Sequence, residues 1–192
     1  MSKILAKVGE LTVTEAISAA KDSAVKVKES TVVAVSAKSY LLTDGTSYIL
    51  AYKGDDPGLA VGDKVTVEGT IGAYRSVPQI ANPVATKTGH VEYTHPTATV
   101  MTGADIDAYA ATAAGETYIK YVKVEGELVK SGTYYNLTVE GASKGQGSIS
   151  YPTAEMCPDS YNGKKVAVYG YTLYQTRDTD VNVIATSIEV LG

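Results

Sequence analysis

Apolar and polar residues alternate along much of this chain, and one alternating stretch occurs twice. Residues 62–70 read Gly-Asp-Lys-Val-Thr-Val-Glu-Gly-Thr, and residues 163–171 read Gly-Lys-Lys-Val-Ala-Val-Tyr-Gly-Tyr. At an offset of 101, five of the nine positions are identical: Gly62/Gly163, Lys64/Lys165, Val65/Val166, Val67/Val168 and Gly69/Gly170. Further on, Tyr74 aligns with Tyr174, and Val84, Ala85 and Thr86 align with Ile184, Ala185 and Thr186. A period of about 100 residues suits a small domain rather than a solenoid unit. The chain therefore reads as two copies of one β-rich domain, residues 1–92 and 93–192.

Each copy predicts the same order of elements. In the first, residues 11–20 suit a short helix, with Thr14 as N-cap and Ala16, Ile17 and Ala20 at helical spacing. Residues 25–37 predict a long strand rich in β-branched side chains. Residues 39–43 and 46–52 flank Asp44-Gly45, which supplies the positive φ angles of a tight hairpin turn. Residues 64–73 alternate, with Val65, Val67 and Ile71 on one face. Residues 77–86 contain Pro78 and Pro83 and so suit an edge or irregular strand. In the second copy a short helix over 102–112 places Asp105 and Asp107 near the positive end of the helix dipole. Strands follow at 118–129, 133–139, 147–151, 164–174 and 180–191, with a crossing loop at 152–162. Residues 90–96 form a short connector.

Composition agrees with strands. The 192 residues include 15 Tyr but no Trp and no Phe, and Val and Thr are abundant. The net charge is −4. Residues 1–95 carry ten Lys/Arg and ten Asp/Glu; residues 96–192 carry seven and eleven, so the acidic excess lies in the second half. Neither half has the basic stripe of a protein that grips many phosphates. Cys157 is alone, which excludes an intrachain disulfide framework and suits a packed loop thiol. No apolar run reaches membrane-spanning length. The opening residues are too short and interrupted for a signal peptide, so the expectation is action without export or removal of an export segment.

Five strands per copy, with a Gly-bounded fourth strand, suggest an all-β chain of two tandem five-stranded OB-type Greek-key barrels with two short helices. A resemblance then becomes specific. Residues 32–35, Tyr40-Leu-Leu-Thr-Asp-Gly at 40–45, Tyr48-Ile-Leu-Ala-Tyr at 48–52, residues 61–69 and Pro78-Gln-Ile look like the OB-fold domains of bacterial surface lipoproteins. Residues 124–126, 134–137, 148–153 and 162–166 resemble the partner domain found beside them. The resemblance covers nearly the whole chain and implies an OB fold and nucleic-acid binding. Its motifs are strand and turn motifs, which speak to fold more than to activity. The family's export signal and lipidated Cys are not seen in this sequence, so the membrane anchor of the family is not carried over, and no membrane span is expected.

Tyrosines are the candidate ligand-contacting residues, ten of them in residues 96–192. On an OB barrel, bases or sugars stack on the face of the second and third strands. That face would carry Tyr40, Tyr48 and Tyr52 in the first copy and Tyr134, Tyr135 and Tyr151 in the second, with Tyr52 matching Tyr151. Tyr74 with Arg75, and Tyr174 with Arg177, flank the turn between the fourth and fifth strands. The competing reading is structural, since without Phe or Trp the tyrosines must supply all aromatic packing.

Other chemistry finds little support. His90 and His95 flank Glu92, but on a strand they point to opposite faces, and no third ligand supports them. Asp55 with Asp56, and Asp178 with Asp180, read as solvated turn acids rather than a cation loop. There is no Gly-x-Ser-x-Gly elbow, no phosphate-binding Gly-Lys-Ser/Thr loop and no His-Glu-x-x-His. No catalytic residue, metal or cofactor is expected. The leading expectation is a non-enzymatic assembly or adaptor component that contacts itself or another protein, such as part of a phage particle or cell surface. The alternative is a binder of single-stranded nucleic acid or, on the same face, of oligosaccharide. Localisation stays unassigned.

Overall fold

A computed structural model describes residues 9–176 and 179–192. The first copy contains β1 (Glu10–Leu11), α1 (Val13–Ile17), β2 (Ala24–Val35), β3 (Ser39–Thr43), β4 (Tyr48–Tyr52), β5 (Asp63–Tyr74) and β6 (Val77–His90). The second repeats the order: β7 (Thr99–Met101), α2 (Gly103–Ala110), β8 (Tyr121–Ser131), β9 (Tyr134–Thr138), β10 (Gln146–Ile149), β11 (Lys165–Thr176) and β12 (Asp180–Val190), with a 3-10 turn at Asp159–Tyr161 before β11. Strands run β2-β3-β4-β6-β5 and close by β5 pairing with β2; β8-β9-β10-β12-β11 close by β11 pairing with β8. In both, the third and fifth barrel strands are parallel, and a two- or three-residue strand adds in parallel to the first. These are two five-stranded closed barrels of OB type, in tandem.

The repeated sequence has structural causes. Gly62 and Gly163 enter the fourth strand with φ of 92° and 76°, a left-handed conformation that glycine adopts without strain. Gly69 and Gly170 lie at breaks in the ladder with the fifth strand, where a Cβ at Gly170 would stand 2.2 Å from the Ile184 carbonyl oxygen. Val65, Val67 and Ile71 fill the first barrel, and Val166 and Val168 fill the second. Cys157 is buried in the second core, where burial pushes its thiol pKa up.

Several local expectations are corrected. Thr12, not Thr14, caps α1: its side chain accepts from the Glu15 amide while Glu15 answers the Thr12 amide. Thr102 and Asp105 form the same box on α2. Thr14 instead donates through its amide and hydroxyl to Asp44. The turn after β3 has four residues, because Asp44 Oδ1 accepts from the amides of both Thr46 and Ser47. Burial raises the Asp44 pKa, but the amides of Ser47, Thr14 and Thr46 outweigh it and bring the carboxyl down to about 2. Strand β6 is irregular at Pro83, where the ladder skips residues beside Asn82 (φ 49°), yet it is no edge, since β4 and β5 pair with its two sides.

The barrels pack through a third apolar cluster. Val33, Ala34, Leu41 and Leu50 of the first barrel meet Tyr171, Leu173 and Ile184 of the second, all fully or almost fully buried. Each such Leu or Ile contributes about 1.5–3 kcal/mol relative to exposure, which makes this a true packed seam. The connector joins it: His95 stacks on Tyr121 at 4.7 Å, and its Nδ1 lies 3.0 Å from the Tyr171 hydroxyl.

Candidate functional site

A groove of about 530 Å³ opens beside the seam and draws on both barrels. The first supplies Lys38 from the β2–β3 loop, Tyr52 from the end of β4, Tyr74 and Arg75 from the β5–β6 turn, and Gln79. The second supplies Thr133, Tyr134 and Tyr135 at the start of β9, residues 148–151, and Tyr174, Thr176 and Asn182 from β11 and β12. On an OB barrel these are the loops and strands that contact oligonucleotides and oligosaccharides.

Seven of the ten residues expected from sequence therefore converge here. Tyr74 and Tyr174 pack at 4.7 Å between ring centroids, and Tyr52 and Tyr151 at 6.2 Å, each pair spanning the two barrels. Lys38 Nζ sits 4.8 Å over the Tyr151 ring. Tyr74, Tyr134 and Tyr151 are the exposed aromatics of the group. Burial, reinforced by the neighbouring tyrosines, raises the pKa of Tyr151 and Tyr174, so their hydroxyls stay neutral near pH 7. Arg75 and Tyr151 both hold positive φ, 50° and 40°, a conformation rare for such side chains and concentrated at sites where geometry matters.

The other three do not join them. Tyr40 is enclosed in the first barrel's core, with its hydroxyl buried and unpartnered. Tyr48 is spent on the seam, 5.1 Å from Tyr171. Arg177, like Asp178, lies outside the described residues. The strand register also corrects the repeat alignment. Tyr174 pairs with Asn182, as Gly72 pairs with Gln79, while Tyr74 pairs with Val77 as Thr176 pairs with Asp180. A β11 irregularity between Thr172 and Tyr174 adds one residue, so Tyr174 corresponds to Gly72, and Tyr74 to Thr176. Tyr151 follows β10 and is not on the third strand.

The same register exposes residues that sequence reading missed. One outward row across the second, third and fifth strands is Leu41–Leu50–Gln79 in the first barrel. In the second barrel it is Asn136–Ser148–Asn182. Leu41 and Leu50 are consumed by the seam, while Ser148 and Asn182 form part of the groove. The change from Leu41 and Leu50 to Asn136 and Ser148 at matched positions was the available signal, readable only once the strand pairing is known.

Other concavities differ in chemistry. One of about 660 Å³ is flanked by Glu125, Glu127 and Glu140, and an open depression of about 810 Å³ by Glu10, Lys26 and Glu68; neither contains an aromatic ring. The 530 Å³ groove has Lys38 and Arg75 but no carboxylate among the described residues. His90 bonds Asp63 at 2.8 Å and His95 bonds Tyr171, so the histidines serve separate partners. Among the described residues no three His, Cys, Asp or Glu side chains gather as a metal site. Asp55 pairs with Lys53, Asp56 accepts from the Gly58 amide, and Asp180 accepts from Thr179. No helix among the described residues is long and apolar enough to cross a membrane.

No family model and no curated protein sequence matches the chain. The likeness to bacterial surface lipoproteins thus rests on strand and turn motifs alone. One matching solved structure is a replication protein A heterotrimer bound to single-stranded DNA, at 10% identity and a TM-score of 0.35. The match covers 90% of this chain and 49% of that one, so the chain spans about half the length of the protein it matches.

Proposed function

We propose that this is a non-enzymatic binding protein that takes a short run of single-stranded nucleic acid in the inter-barrel groove. The observation that carries this reading is the convergence of the ligand-contacting loops of both barrels on one tyrosine-lined groove with two cations. Tyrosine faces stack on bases at about 1–3 kcal/mol each and tolerate sequence variation. Lys38 and Arg75 supply phosphate contacts at a local site, which an acidic chain as a whole does not preclude. The chemistry on offer is stacking and hydrogen bonding, which suits binding without turnover.

A labelled ten-nucleotide single strand titrated by fluorescence anisotropy tests this. Saturable binding that weakens with added salt is expected, since displaced counterions favour dissociation. No binding at low salt overturns the reading. A second reading, an assembly or adaptor component such as part of a particle or cell surface, draws on the exposed Tyr74, Tyr134 and Tyr151, a residue type favoured at protein interfaces. A defined oligomer by solution mass that ignores nucleic acid would favour it. Oligosaccharide on the same tyrosines predicts binding indifferent to salt.

A further inference from the structure

We propose that the two barrels divide the recognition of a single strand: the first holds its phosphates through Lys38 and Arg75, and the second reads a base edge through Asn182, Ser148 and Thr176. This rests on the single-strand reading above and adds base selectivity to it. The two sides of the groove differ in chemistry. Among the described residues, the groove's cations Lys38 and Arg75 belong to the first barrel, whereas the second contributes a floor of hydroxyls and an amide.

The floor is unfinished as a hydrogen-bond network. Asn182 is only 6% exposed; its Nδ2 donates to Ser148 Oγ at 3.4 Å, and its Oδ1 is buried with no partner. Thr176 Oγ1 is also buried and unpartnered. Folded proteins rarely leave such groups unpaired, because the lost hydration is not recovered. Both atoms belong to residues that line the groove, which makes a ligand seated there the candidate partner for them.

An unpartnered amide oxygen calls for an N–H donor and disfavours a phosphate oxygen. Cytosine presents an exocyclic amino group where thymine presents a carbonyl oxygen. The two are pyrimidines of similar size, so a preference between them reports edge recognition more than stacking. A site with buried groups awaiting a specific donor discriminates strongly against ligands that lack it.

The test compares labelled ten-nucleotide oligo(dC) and oligo(dT) on the full chain across a salt series. Wild type is expected to bind oligo(dC) roughly tenfold more tightly, a ratio of the size expected for direct base contacts. Asn182→Ala should bring the ratio toward one. Thr176→Val, which keeps the side-chain shape and so guards against misfolding, should reduce it. Lys38→Ala should weaken both ligands alike and lower the salt slope by about one. Equal binding of both ligands by wild type, or a ratio unmoved in both floor variants, overturns the division of labour while leaving single-strand binding intact. Absence of any binding removes the parent reading as well.

Discussion

The backbone amide of Ala37 donates to the carbonyl oxygen of Tyr151 at 2.9 Å. The bond ties the loop after β2 to the residue that follows β10, and so crosses from one barrel to the other. Tyr151 makes this bond from a backbone with φ of 40°, and its ring lies beneath Lys38 and beside Tyr52. Because the tie is made by backbone, Tyr151→Ala should leave the barrels joined. Oligonucleotide affinity should fall by about 1–3 kcal/mol with the lost ring, measured by anisotropy beside an unchanged circular dichroism spectrum.

Removing the Tyr40 hydroxyl should not harm the fold. It is buried without a partner, and burial raises its pKa. Tyr40→Phe deletes an unsatisfied polar group and keeps the ring, so a gain of about 1 kcal/mol is expected in urea unfolding. Oligonucleotide binding should not change, because Tyr40 lies inside the barrel and not in the groove.

Acid should loosen the seam through His95. Its imidazole is stacked and half-buried, and desolvation lowers its pKa below the ordinary 6.5. The unfolded chain then holds more protons than the folded one as pH falls below about 6.5, so stability is complete above that value and declines below it. His95→Gln should flatten the pH dependence of Tm between pH 7 and 5. A further loss belongs to pH below about 4, where Asp63 of the unfolded chain takes up a proton while the folded carboxyl is still ionised. Burial raises that carboxyl, but Lys87, the Ala60 amide and His90 together bring it down to about 2, so its contribution fades as pH falls toward that value.

The repeated glycines should respond unequally. An alanine Cβ at position 170 meets the Ile184 carbonyl oxygen at 2.2 Å and the Ala185 Cα at 2.8 Å, both backbone atoms that cannot swing away. Gly170→Ala should cost about 3 kcal/mol or prevent folding. At position 163 the space is open and only the φ of 76° resists substitution. Gly163→Ala should cost about 1–2 kcal/mol in the same urea titration.

The barrels were legible because their periodicity is local. Alternation in 64–73, the Gly pair around it and the helix before each long strand are all written within a few residues. The N-cap of α1 was misplaced because Thr12 and Thr14 are both plausible caps, and only Glu15 at the third helical position distinguishes Thr12. The groove was half legible. Its tyrosines stand out in a chain without Phe or Trp, but Tyr40 and Tyr48 have the same composition signal and opposite fates. Tyr40 turns into the first barrel's core, whereas burial of Tyr48 depends on which outward face meets the second barrel, a long-range choice that no short window contains. Asn182 and Ser148 escaped because they lie 34 residues apart in sequence, and only the parallel pairing of β10 with β12 brings them together.

The seam joins unlike surfaces: strands one to three of the first barrel press on strands four and five of the second. Head-to-tail contacts of this kind do not close on themselves and in principle invite a third unit, then a fourth. The matching row of the second barrel is Asn136, Ser148 and Asn182, polar where the first barrel presents Leu41 and Leu50, so it does not repeat the apolar face of the seam. The row that supplies Leu41 and Leu50 to the seam in the first barrel therefore opens into the groove in the second, where Ser148 and Asn182 line it.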